Sequence, residues 1–296
     1  MTEVAQTIQV TRKTALARVR EAVHASLSRR DRGLPDLAEL RNFDVPGPAG
    51  PLPLRLYVPK SAGKTSPLLL FFHGGGFLLG DLDSHDALCV RLAHEGGFRV
   101  LACSYRLAPE APFPAQIDDA LAAAAWLKRK HRHVGGDRSR LAIGGDSAGG
   151  YLAATVAARM PRVFNSQMLI YPLMHLDDEV WASSLISDSR IIGRLAVRYI
   201  QSQLLTGDVL APSLLIDGGL APLPAVIVAG GPLDPCRPDA IACRDRLIAM
   251  GAPVEWRDYP GLIHGFANLT HTSQRSRDAV AEIARLTAEM LNRRRR

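Results

Sequence analysis

Between residues 67 and 266 the chain alternates short, continuous apolar runs with longer segments whose apolar residues recur at helical spacing. Runs at 67–72, 99–105, 141–143, 167–172 and 225–229 predict strands, the unbroken ones of the kind buried on both faces, and the more polar 253–259 reads as the last strand. The intervening stretches 84–95, 117–127, 151–159 and 240–250 predict helices, the last bracketed by Pro238 and Gly251, and Val280, Ile283, Leu286 and Leu291 mark a final helix over 275–292. Such alternation requires right-handed crossovers and predicts an α/β fold with a mostly parallel central sheet and helices on both faces.

Two stretches fall outside that rhythm. Residues 52–58 alternate apolar and polar positions, as in a strand with one buried face, and 11–30 carry Leu16, Val19, Val23 and Leu27 at helical spacing with Arg12, Lys13, Arg18 and Arg20 elsewhere on the wheel. Residues 176–208 lose strand character and contain a helix-like segment at 191–204.

Composition narrows the class. The 296 residues are 47% hydrophobic and 22% charged, which excludes general disorder and suits one large α/β domain. The absence of a long uncharged apolar run and of a basic-then-apolar N-terminus leads to the expectation of a cytoplasmic protein without stable membrane insertion. Cys89, Cys103, Cys236 and Cys243 lack metal-ligand spacing, so reduced buried thiols and no metal are expected. The net charge of +7 traces to 293–296 and 12–32, where no aromatics interleave the basic residues; a solvated surface is expected and no nucleic-acid site.

The chemistry centres on Gly145-Asp146-Ser147-Ala148-Gly149, between a predicted strand and an alanine-rich helix. Glycines two before and two after the serine fit a nucleophile elbow, with the Ala148 N–H free at a helix N-terminus to bind an oxyanion. The pentapeptide alone also fits a packing turn whose serine is an N-cap. A second loop, His73-Gly74-Gly75-Gly76-Phe77, follows the strand at 67–72, and its consecutive glycines let bare N–H groups approach a reacting group.

With Tyr105-Arg-Leu-Ala-Pro-Glu110 and Phe113-Pro-Ala-Gln-Ile-Asp-Asp119, these motifs closely resemble the hormone-sensitive-lipase-like carboxylesterases of the α/β-hydrolase superfamily, in the group with aspartate before the nucleophile. The resemblance runs from about residue 52 to 266. It implies an α/β-hydrolase fold with a helical cap built from residues 1–45 and an insertion at 176–208, over a catalytic domain of 46–296. It also implies a cofactor-independent serine carboxylesterase acting on a small-molecule ester, and it is compatible with a homodimer.

In this fold nucleophile, acid and base follow in that chain order. Ser147 is then the nucleophile. His264, just after the last predicted strand, is the base, and Asp234, 30 residues earlier, is the acid, with Asp239 as the alternative. In Asp234-Pro-Cys-Arg-Pro-Asp239, Cys236 and Pro238 depart from the family pattern. The oxyanion donors are Ala148 with two of Gly74, Gly75 and Gly76, and the resemblance favours Gly75 and Gly76. Asp146 and His73 read as scaffold. Phe77 and Tyr151 read either as pocket walls or as core aromatics. Alternatives to an esterase are a related amidase or deacetylase, a membrane-surface lipase, and a ligand-binding protein on the same fold.

Overall fold

A computed structural model describes residues 16–22, 24–25, 33–175, 199–200, 202, 204, 214–215 and 219–293. Its eight strands are β1 (Leu37–Gly47), β2 (Gly50–Pro59), β3 (Ser66–Phe72), β4 (Arg99–Cys103), β5 (Gly136–Asp146), β6 (Ser166–Ile170), β7 (Ala225–Ala229) and β8 (Val254–Asp258). They form one sheet in the order β1-β2-β4-β3-β5-β6-β7-β8. β2 pairs antiparallel with β1 and β4, and every other neighbouring pair is parallel. The helices are α1 (Asp86–Gly96), α2 (Ala115–Lys130), α3 (Ala148–Arg159), α4 (Arg237–Ala249) and α5 (Gln274–Asn292).

The central strands are apolar throughout because both of their faces are covered. Leu68, Leu70 and Phe72 of β3 enter the core shared with α2, α3 and α4, while Leu69 and Phe71 enter the one shared with α1 and α5. Ala225, Ile227 and Ala229 of β7 face the first core and Val226 and Val228 the second. Burying each larger side chain contributes about 1.5–3 kcal/mol.

Two expectations change. Residues 37–45 are not part of a helical cap: they lie in β1, an edge strand in which only Val45 is buried, so its sequence carries little apolar signal. The central sheet therefore begins at Leu37. The N-terminal helix, described over 16–22 and 24–25, turns a different face inward from the one expected. Leu16 is buried but Val19 is 48% exposed, and the side turned to the protein runs through Leu16 and Arg20, four residues apart, with exposed His24 pairing with Asp81 at its end. Arg20 donates to the carbonyls of Leu78 and Ala108 at 2.8 and 2.7 Å and to both carboxylate oxygens of Glu110. A docked guanidinium, unlike the solvated one expected, thus holds this helix on the loop after the glycines. Val23, Leu27 and most of 176–208 lie outside the described residues, although Tyr199, Ile200, Ser202 and Leu204 are helical as expected.

Leu70 touches no chemistry, yet it is fully buried in the central strand. Leu70→Ala is expected to cost about 2–5 kcal/mol, read as a lower urea midpoint with an unchanged slope. A loss below about 1 kcal/mol would contradict the packing described.

Candidate active site

Each chemically distinctive residue sits beyond the C-terminal end of a parallel strand, where open α/β sheets place their ligand crevices. β5 ends at Asp146, Ser147 follows, and α3 begins at Ala148. Ser147 has φ 52° and ψ −118°, strain of about 1–3 kcal/mol for a residue with a side chain. The surroundings hold it there: its N–H donates to Ile170 O at 2.9 Å, and its carbonyl accepts from Gly150 at 2.9 Å and Leu173 at 3.1 Å. Gly149 abuts the Phe72 carbonyl, which any Cβ would strike.

The loop after β8 brings His264 to this serine. The Ser147 hydroxyl meets His264 Nε2 at 2.9 Å, and His264 Nδ1 meets Asp234 Oδ1 at 2.8 Å. Asp234, in the loop after β7, is completely buried, and the same oxygen accepts from Cys236 N–H at 2.8 Å. A carboxylate at Nδ1 fixes the proton there and leaves the Nε2 lone pair facing the hydroxyl. Ser147, His264 and Asp234, chosen from the sequence, therefore meet in one hydrogen-bonded chain.

Asp239 does not join it. Its carboxylate accepts from the N–H groups of Met174 and His175 and pairs with His175 Nδ1 at 3.0 Å. The alternative acid is thus engaged elsewhere.

The glycine loop lies against the elbow, where a Cβ on Gly74 would meet Asp146 and one on Gly149 the His73 carbonyl. Of the three candidate donors, Gly74 is already engaged, its N–H donating to Asp146 Oδ1 at 2.8 Å. Gly75 and Gly76, at φ 112° and 61°, turn the loop, and their N–H groups and that of Ala148 have no hydrogen-bond partner among the described residues. His73 holds the loop from behind: Nδ1 binds Gly74 O at 2.8 Å, its ring stacks on Tyr105 at 4.2 Å, and its carbonyl accepts the Tyr105 hydroxyl. Burial, aided by His85, pushes the His73 pKa down to about 4, so it stays neutral.

Asp146 is buried. Besides Gly74 it is approached by Asn268 Nδ2 at 3.3 Å, the Tyr171 hydroxyl at 3.4 Å and His85 Nε2 at 3.4 Å. Burial works against its charge, but His85, the Gly74 N–H and His73 outweigh it and hold the carboxyl below the usual range. Phe77 and Tyr151 are fully buried and meet edge to face with centroids 5.8 Å apart.

Other neighbours are not apparent from the motifs. The Ile200 side chain covers Gly76 so closely that a Cβ there would lie 2.5 Å from its Cδ1. Tyr171, directly after β6, packs against the His264 ring at 4.8 Å; its position at a strand end was the available signal. Asp234, Cys236 and His264 also bring donor atoms within 4.8 Å of one another, a grouping that could attract a metal ion. Nδ1 and Oδ1 are engaged with each other, however, and burial together with Asp234 and Asp239 pushes the Cys236 thiol up, away from the thiolate a metal needs.

A family model described as an alpha/beta hydrolase fold matches residues 69–268. The chain is 38% identical to Esterase LipI of Mycobacterium tuberculosis over 243 residues, covering 77% of this chain and 75% of that protein. The chain belongs to the α/β-hydrolase family, in its hormone-sensitive-lipase-like branch. It is also 32% identical to the ethyl acetate hydrolase of Pseudomonas putida over 237 residues, 74% of this chain and 72% of that one. Among solved structures, an esterase of Pyrobaculum calidifontis superposes with a TM-score of 0.84 at 32% identity, covering 93% of each chain.

In this hydrolase the electrostatics of the two loop histidines diverge. Burial opposes a charge on His264, but Asp234 at Nδ1, with Asp146 behind it, more than offsets burial and raises the pKa above the ordinary value. The neutral, proton-accepting form is therefore complete only at higher pH than for a free imidazole. NMR of ring-labelled histidine is expected to give a His264 midpoint above about 6.5, and Asp234→Asn, which leaves burial unopposed at Nδ1, is expected to lower it. An unchanged midpoint in Asp234→Asn would contradict this coupling.

Proposed function

We propose that this protein is a serine carboxylesterase that hydrolyses short-to-medium acyl esters through an acyl-enzyme, without a cofactor. The observation that carries the reading is the hydrogen-bonded chain from Ser147 through His264 to buried Asp234. In the proposed reaction Ser147 Oγ attacks the ester carbonyl carbon while its proton passes to His264 Nε2. The new oxyanion is held by the N–H groups of Ala148, Gly75 and Gly76. His264 then protonates the departing alcohol, and a water activated by the same nitrogen releases the acid and restores Ser147. Asp234 keeps the imidazole in the required tautomer and stabilises the transient imidazolium.

Relatives named as esterase and ethyl acetate hydrolase support ester chemistry and small acyl groups. Ile200 over Gly76 supports an apolar wall beside the oxyanion position, and buried Phe77 and Tyr151 would shape the pocket from the core side. We further assign residues 1–36 and 176–208 to a cap that selects substrate, and β8, at the sheet edge, to a homodimer contact. Among the described residues no helix is long and apolar enough to cross a membrane, and we infer a cytoplasmic location.

A p-nitrophenyl ester series from acetyl to long acyl chains tests the reading. Turnover is expected to peak at short chains and to fall by about 10⁶ in kcat in Ser147→Ala and His264→Ala. Wild-type rates in Ser147→Ala would end the mechanism.

A further inference from the structure

The reserve acid, Asp239, has a place in the structure that the esterase chemistry does not use. It is 3% exposed, in the first turn of α4, and its carboxylate receives three donors from the segment leaving β6: the N–H groups of Met174 and His175 and the His175 ring. That segment also wraps the elbow. Ile170 O accepts the Ser147 N–H at 2.9 Å, Gly150 lies against Pro172, and Leu173 N–H donates to Ser147 O at 3.1 Å. The residue after Leu173 is the one anchored on Asp239, and its carbonyl accepts Leu214 N–H at 3.0 Å, which ties a second part of the chain to the same point.

Asp234 stands five residues earlier on the same structural unit. Its carbonyl accepts Arg237 N–H at 3.1 Å, and Ala240 N–H donates to Cys236 O at 3.0 Å, so the acid loop runs directly into the first turn of α4. Arg237 fixes that turn to the sheet, donating to Gly230 O at 2.8 Å and pairing through two nitrogens with Asp258, each at 2.6 Å. Two carboxylates, one in the loop leading into α4 and one in its first turn, therefore reach the same serine by different routes. Asp234 acts on its hydroxyl through His264, and Asp239 reaches its backbone through Met174 and Leu173.

We propose that Asp239 is a positioning residue for Ser147: with Asp234 it makes the junction of the acid loop and α4 the common reference that fixes the strained serine against its base. The proposal rests on the assignment of Ser147 and His264 made above. Its chemical basis is geometric. A displacement of about 1 Å between nucleophile and base can cost on the order of 10²-fold in rate, and Ser147 at φ 52° moves toward a relaxed conformation if its anchors loosen.

The test follows phosphonylation of Ser147 by a fluorophosphonate probe, counted by intact mass on the folded fraction, well below the unfolding temperature. Asp239→Ala is expected to slow the maximal labelling rate by about ten- to a hundredfold, with the half-saturating probe concentration unchanged. Asp239→Asn keeps an oxygen for the two backbone N–H groups and is expected to lie in between, which preserves the test if the alanine variant does not fold. His175→Ala keeps both backbone contacts and is expected to stay within about threefold of wild type. A purely structural role would lower the folded fraction and leave the rate per folded molecule unchanged; that result in both Asp239 variants overturns the proposal. Wild-type protein that is labelled at Ser147 but hydrolyses no ester refutes the esterase reading while the Asp239 comparison still stands. Wild-type protein not labelled at Ser147 overturns both.

Discussion

The active centre depends on the register of two neighbouring parallel strands. β3 and β5 pair so that Phe72 lies opposite Gly145, which brings the glycine loop and the elbow out of the sheet at the same level. Two contacts lock that junction: Gly149 sits against the Phe72 carbonyl, and the carboxylate of Asp146 takes the Gly74 N–H. A one-residue slip would turn each side chain of β3 to the opposite core and part the loop from the serine. The same junction explains why one of three consecutive glycines is structural. Gly74 surrenders its N–H to hold the loop, and those of Gly75 and Gly76 have no partner among the described residues.

Around this frame the protein sets two imidazoles to opposite purposes by their surroundings. His73, enclosed beside Tyr105 and His85, is held neutral and serves as a strut. His264, with 31% of its side chain exposed and a buried carboxylate at Nδ1, has its charged form favoured, which suits the proposed role of a base that carries a proton transiently. Asp146 and Asp234, both buried, divide in the same way, one taking the Gly74 N–H of the glycine loop and the other the His264 ring.

Much of this could be read from the chain because apolar runs ending in glycine, or followed closely by a polar loop, are what parallel strands look like. Ser147 and Asp234 follow two such strands, His264 follows the more polar edge strand β8, and the structure brings the three together. The Tyr105 and Asp119 motifs mark anchors: Tyr105 braces His73, and Asp119 takes the backbone and guanidinium of Arg106. The signals that failed belong to surfaces and loops. β1 was hidden because an edge strand with a single buried residue has no apolar rhythm. The inward face of the N-terminal helix was misjudged because it is built on Arg20, a residue that pattern reading assigns to solvent. The partners of Gly74 and Asp239 come from segments 72 and 64–65 residues away, and no local spacing encodes such distances.

The central claim is that Ser147 carries the acyl group. Acid quenching during turnover of a p-nitrophenyl ester, followed by intact-mass and peptide mapping, tests it most directly. The account predicts one acyl group per molecule, on Ser147, formed in step with a burst of nitrophenol and absent in His264→Ala. Sustained turnover with no covalent adduct, or with the acyl group on another residue, would contradict it.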